Sequence, residues 1–456
     1  LLLRELELEL PIALDRQDSL AQIREAARFR FPANIAPLRL AITKSNNDHV
    51  SCAISSLETL SELGDFSDIS IFDFEPRKHE NTSRFNVVFL IPTGIGAEIG
   101  GHAGDATPAA RLIAETCDTL ILHPNVVNAS DINEMPVNSL YVEGSVIARL
   151  LMGTIGLVPT RANRVLVIID DHKDELFVNA AINAVSAARS SYGLVCPEVV
   201  KLSPPIRMRS EFTDFGTAAG EISGIERAFE VIEEHEGEYD AVAISSVISV
   251  PEEFHQGYFD AAGKMVNPWG GVEAMLTHAV SSRFNVPSAH SPMFETQDIA
   301  NRDPGVVEPR MAAEAISLTF FESVLKGLHK SPRIVTDSSQ LSEPGVISAA
   351  DVSCLVIPDG CVGLPTLAAL EQGIPVVAVR ENKNLMENDL TMLPWRSDQL
   401  HIVENYWEAA GVLCAIRGGI APESVRRPLE HTRVSTRVFK ETEKEQLPTE
   451  QAKHFG

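Results

Sequence analysis

Past residue 85 the chain carries unbroken apolar runs: FNVVFLIP (85–92), TLILHP (119–124), RVLVIIDD (164–171), DAVAISSVISV (240–250), SCLVIPDG (353–360) and PVVAVRE (375–381). Runs without polar alternation predict strands covered on both faces. Stretches with helical spacing lie between several of them, at 174–193, 224–237 and 311–329, so parallel strands joined by crossover helices are expected. Before residue 85 the pattern is finer. RELELELPIAL (4–14) alternates polar and apolar positions as a half-exposed strand does. SLAQIREAARFRF (19–31) has helical spacing, LRLAITK (38–44) reads as a strand, and VSCAISSLETLSELG (50–64) reads as a helix.

The predicted fold is α/β: two open parallel-sheet, Rossmann-like lobes with a cleft between them, preceded by a small N-terminal α+β module. The expected units are the module at 1–85, a first lobe at 86–160, a second at 161–425 and a polar tail at 426–456, with EPRKHENTSR (75–84) as linker. Loops rich in Gly, Pro, Asn and Asp follow the strand ends, where open parallel sheets build their sites.

Composition narrows the function classes. At 456 residues the chain is long enough for more than one core. Its net charge of −25 argues against non-specific binding to nucleic acid or to an anionic membrane surface, since both need a basic face. Cys52, Cys117, Cys196, Cys354, Cys361 and Cys414 are scattered, with no C-x-x-C pair, which suits a reducing compartment. No apolar run approaches the ~20 residues needed to cross a bilayer, and LLLRELELEL does not read as a secretory signal. A cytoplasmic protein is expected, or one of the plastid stroma if a transit peptide has been removed; a homo-oligomer is open.

The candidate chemistry starts at IPTGIGAEIGGHAGDATPAARLIAE (91–115). Glycine lets backbone N–H groups approach a ligand without a Cβ in the way, and a helix starting near Thr107-Pro108 would add unpaired amides and a positive dipole end. Gly94, Gly96, Gly100, Gly101 and Gly104 are therefore candidates to hold an anion, with His102 and Asp105 placed to act on it. The run is neither a Walker A loop nor a G-x-G-x-x-G fingerprint. SCLVIPDGCVGLPTLAALEQGIPVVAVREN (353–382) repeats the pattern of strand, glycine loop, helix and strand, and offers Asp359, Gly360, Gly363 and Thr366 as a second cradle.

Residues 353–382 and 91–110 resemble the nucleotide-sugar-binding lobe and the first-lobe glycine turn of GT-B glycosyltransferases and sugar-nucleotide epimerases. That resemblance implies a nucleotide-linked substrate; Ala368 stands where those proteins commonly carry a ribose-binding glutamate, with Glu371 displaced from that position. The stretch from 86 to about 420 also resembles an uncharacterised family of photosynthetic organisms, on phrases such as PTGIGAEIGGHAGDATP and DGCVGLPTLAALEQGIPVVAV.

Further polar groups collect after other predicted strands. LHPNVVNASDINEMPVNSLYVEG (122–144) brings His123, Asn125, Asn128 and Glu143. Asp170, Asp171 and His172 could take magnesium or manganese. The region 245–298 supplies Ser245, Ser246, His255, His278, Glu295 and His290, the last as a general acid or base. NPWGGVEA adds Asn267, Trp269, Gly270, Gly271 and Glu273, while Arg310 could clamp a carboxylate or phosphate. No G-x-S-x-G elbow surrounds a serine. Three functions remain open: a transferase or epimerase acting on a phosphorylated or nucleotide-linked molecule in the cleft; a metal-assisted hydrolase, lyase or isomerase using His102, Asp105 and His123; and a non-catalytic metabolite-binding or assembly protein.

Overall fold

The computed structural model describes all residues except 16–17, 29, 47, 60–68, 128–132, 262, 318–319 and 440–456. Its apolar runs do become buried parallel strands. Asn86–Phe89 and Val352–Pro358 are buried at every position, and they lie side by side in parallel. Around them a six-stranded sheet runs in the order Leu400–Val403, Val376–Val379, Val352–Pro358, Asn86–Phe89, Thr119–Leu122, Ser139–Tyr141. Its registers are all parallel.

The expected division at 160 therefore runs through this sheet instead of between two. Three of its strands come from 86–141 and three from 352–403, while the segment between them builds a second parallel set. That set places Val199–Leu202, Val165–Asp170, Ala241–Ser249 and Ser288–Met293 side by side. The reason is not local: strand pairing is decided by which apolar edges meet, and the chain returns from 352 onward to the edge that Asn86–Phe89 leaves open.

The N-terminal unit is α+β in composition, with Leu2–Leu10, Ile35–Ser45 and Val50–Glu58 as strands and Ser19–Arg28 as a helix. The expected helix at 50–64 is a strand over Val50–Glu58, and residues 60–68 lie outside the described residues. The strand pairs on both sides, with Leu2–Leu10 and with Ile35–Ser45, and is almost wholly buried. A central strand covered on both faces loses the alternation that would have marked it. This antiparallel arm joins the second parallel set through Ala218–Ser223 and Arg207–Phe212. Its far edge pairs with Val362–Gly363 from the second glycine loop. The expected linker is latched: the Arg77 guanidinium donates to the carbonyls of Val352, Gln372 and Gly373.

Two glycines show how closely the parts are pressed together. A Cβ at Gly271 would stand 2.0 Å from the carbonyl oxygen of Ala218, and one at Gly94 would stand 2.8 Å from the same atom. Gly271 opens the helix Gly270–Phe284 and is fully committed to that contact. Gly271→Ala is expected to destabilise the protein by about 1–3 kcal/mol through overpacking against backbone, read as a lower urea midpoint with unchanged slope.

Candidate functional site

Loops at the C-terminal ends of both parallel sets face each other across a cavity of about 290 Å³. Pro92–Ala97 and Gly101–Ala103 follow Asn86–Phe89, His123–Asn125 follow Thr119–Leu122, and Glu143 follows Ser139–Tyr141. From the other side come Ile248, the segment around Asn267–Ala274, and Ser288–Glu295. This is the place an open α/β sheet reserves for ligands. Phe259, Trp269, Phe294 and Phe320 supply apolar wall.

Its polar groups come in pairs of histidine and carboxylate. His290 Nδ1 lies 3.2 Å from Glu273 Oε1 and its Nε2 lies 2.8 Å from Ser246 Oγ. That is the order of a serine–histidine–carboxylate triad, but Ser246 is fully buried and does not line the cavity. The accessible member is Glu273, whose side chain is 28% exposed, so Ser246 and His290 serve to orient it. His255 Nε2 pairs with Glu295 Oε2 at 3.2 Å. His278 Nε2 pairs with Glu143 Oε1 at 3.2 Å, while Glu143 Oε2 caps the helix Gly144–Leu151 through the amides of Ser145 and Val146.

The fourth group is a buried chain. The Tyr258 hydroxyl lies 2.7 Å from His102 Nδ1 and 2.7 Å from Glu314 Oε2, and Asn267 Nδ2 donates to both Tyr258 and Glu314 at 3.2 Å. Glu314 Oε1 also accepts from the Ala103 amide. Burial raises the Glu314 carboxyl above the ordinary range, and burial with the Arg310 cation lowers His102. His123, buried and accepting the Asn125 amide at Nδ1, is held down to about 3 by burial, then by His278 and Arg39. Tyr258 and Glu314 carried no motif in the sequence. The hydroxyl and carboxylate meet across 56 residues, and the imidazole lies a further 156 from Tyr258.

Of the residues expected from the sequence, Gly94, Gly96, Gly101, His102, His123, Asn125, Asn267, Trp269, Gly270, Glu273 and His290 line the cavity together. Gly100, Gly104, Asp105, Gly271 and Arg310 do not, and Asn128 lies outside the described residues. The first glycine turn spends part of its amides inside the fold: Gly100 donates to Asp105, Ile99 to Asn382 and Ala103 to Glu314. The helix behind it has Ala106 at its cap position and no side-chain cap, with Thr107 already inside the helix. Arg310 pairs with Glu308 and donates to the carbonyls of Glu98 and Gly263, so it clamps backbone.

The second glycine loop does not share this cavity. Gly360 donates to Asp359, Thr366 Oγ1 donates to the Cys361 carbonyl, and Gly363 pairs with Ala41. Asp170 accepts from the Ile206 amide and Asp171 pairs with Lys201 at 2.8 Å, so the two carboxylates are turned to different partners. Among the described residues no three His, Cys, Asp or Glu side chains gather as a metal site would require.

An α/β protein with a cavity at its strand ends, lined by histidines and carboxylates in contact, is what this geometry defines. The chain belongs to the family described as "Protein of unknown function (DUF3326)", which matches residues 86–426. It is 30% identical over 344 residues to an uncharacterized lipoprotein of Synechococcus sp., covering 74% of this chain and 92% of that one. Both agree with the uncharacterised family expected from the sequence. No solved structure matches. The cytoplasmic or stromal setting expected from the sequence is overturned by that relative, which is named as a lipoprotein. No helix among the described residues is long and apolar enough to cross a membrane.

Asp105 offers a check on the electrostatics beneath this site. Its Oδ2 is buried without a partner, and burial raises the carboxyl to about 7. The folded protein then holds a proton that the unfolded chain releases near its ordinary value of 3.8, so stability falls as pH rises through that window. Asp105→Asn removes this dependence. Relative to wild type it is expected to gain stability steadily from about pH 4 to about pH 7, in paired urea titrations.

Proposed function

We propose that the chain is an acid–base enzyme of epimerase, isomerase or lyase type, acting on a small, partly apolar molecule in the cavity of about 290 Å³. One observation carries this reading: two carboxyl groups in different environments open on one space. Glu273 is partly exposed and braced by His290, whereas Glu314 is 8% exposed with its carboxyl raised by burial. Environments that separate two acids in this way divide the roles of base and acid between them.

In the proposed reaction Glu273 takes a proton from a C–H bond of the bound molecule. Glu314, whose carboxyl burial disposes toward the protonated form, is the proposed source of the second proton, and the 2.7 Å contacts of Tyr258 with both groups connect it to His102 at the cavity wall. His102 then donates that proton to an oxygen or carbon of the substrate, and the negative charge passes from Glu273 to Glu314, where Tyr258, Asn267 and the Ala103 amide donate to it. The aromatic walls exclude water from the carbanion-like state. Transfer of a nucleotide-linked sugar, the finer reading of the sequence, has less support: four glutamates line the cavity, and the second glycine loop lies outside it. The relative's name supports a membrane-tethered setting for the activity.

The test begins with a metabolite library screened for thermal stabilisation, each hit then incubated in D₂O and followed by proton NMR. At least one hit is expected to exchange a C–H proton for deuterium. Glu273→Gln should slow that exchange by about 10²-fold or more while the hit still binds. Stabilising hits that never exchange, or a Glu273→Gln variant with full exchange rate, would contradict the proposal.

A further inference from the structure

A second chamber of about 90 Å³ lies beside the main cavity. Thr93, His123, Gly144 and Ala274 wall both, so the two spaces meet at the His123 imidazole. The Nε2 atoms of His123 and His278 each lie 3.0 Å from the point a Cβ at Gly144 would occupy. A glycine there leaves both rings in contact with the passage.

Charge is divided between the two spaces. Among its described lining residues the main cavity faces Glu143, Glu273, Glu295 and Glu314 against one guanidinium, Arg302, which pairs with Glu252 at 3.3 Å. Among the described residues lining the second chamber none is acidic, while two guanidinium groups, Arg39 and Arg149, line it. The chain has 63 acidic and 38 basic residues, so composition alone would not empty a chamber of carboxylates. Arg149 is engaged with the Ser281 carbonyl and Asn285. Arg39 has a side chain only 17% exposed and touches Glu5 through one nitrogen, Nη1, at 3.4 Å. The remaining guanidinium donors suit a planar or tetrahedral oxyanion.

A further feature points the same way. The nine-residue helix Leu364–Gln372 starts on the chamber, with Leu364 and Thr366 in the wall, no side-chain cap at Gly363 and no acidic residue in the first turn. The positive end of its dipole favours negative charge, although Pro365 brings no N–H of its own to that end. His278 also lines the chamber at 7% exposure, its ring fixed there through the Nε2 contact with Glu143.

We infer that the second chamber is a subsite for an oxyanion, a carboxylate or phosphate group of the molecule whose remainder fills the main cavity, with Arg39 as its cationic partner. The identity of that remainder rests on the acid–base reading above; the anion site does not. Gly363 and Thr366, expected from the sequence to hold phosphate, belong to this chamber. Arg39 lies before the family match at 86–426. The N-terminal hairpin thus completes a site that the family region begins, which accounts for the pairing of Ile42 and Ala41 with Val362 and Gly363.

Isothermal titration of the full chain with inorganic phosphate, and separately with acetate, tests the inference. One of the two is expected to bind at a single site and so to identify the headgroup. Arg39→Met should weaken that binding at least about tenfold, Arg39→Lys should weaken it less, and Arg302→Met should leave it unchanged. Melting temperatures without anion report whether each variant is folded; if Arg39→Met is not, Arg39→Lys decides, and unchanged affinity there overturns the inference. Failure of both anions to bind wild type overturns it, as does an Arg302→Met loss equal to that of Arg39→Met. Glu273→Gln, expected to slow proton exchange, is expected to keep the anion affinity, so the subsite and the acid–base reading fail separately.

Discussion

Three stretches of backbone meet at the carbonyl of Ala218 with no space for a side chain between them, and the rest of the site follows from that meeting. The glycine turn from one parallel sheet reaches it at Gly94, whose own carbonyl accepts the Ala218 amide at 3.0 Å. The helix Gly270–Phe284 reaches it at Gly271. This contact pins the strand ends of one sheet to the arm of the other. It holds them close on one side, and the cavity is the space left where Trp269, His255 and Phe294 stand between them. The glycines are needed for closeness of backbones, which is a packing demand before it is a binding one.

Burial of the groups around this cavity dictates its chemistry. An ionised group placed there without a partner would carry a large desolvation penalty. The structure meets that demand by giving His255, His278 and His290 a carboxylate each, and by threading His102 to Glu314 through Tyr258. Where an oxygen is left alone, as at Asp105 Oδ2, the proton is held instead. Pairing of this kind is also what proton transfer uses, since each group has a route by which charge can be passed on instead of being stranded.

Much of the architecture was legible in the sequence because burial on both faces writes itself as unbroken apolar runs, and all the long ones became parallel strands. Val50–Glu58 was misread because a central strand flanked on both sides has no polar face to alternate. Sheet membership was not legible: nothing local in FNVVFLIP announces Val352–Pro358 as its neighbour. The site was half legible. His102, Glu273 and His290 could be picked out as chemistry-bearing residues after strands or at helix starts, whereas Tyr258 sits in an unremarkable helical stretch and acquires meaning only through partners far away in the chain. The glycine turns read in the sequence as places where a ligand reaches the backbone; in the fold it is the protein's own backbone that approaches Gly94 and Gly363.

Burial in a low-dielectric interior keeps His102, His123 and His278 neutral, and long-range ¹⁵N NMR of the histidine rings measures that directly. His123 is expected to stay neutral until about pH 3, and His102 and His278 to remain neutral at the pH where a free imidazole, with its value near 6.5, is half protonated. Half-protonation of all three at or above that pH would show an interior open to bulk water, and the cavity chemistry described above would not survive it.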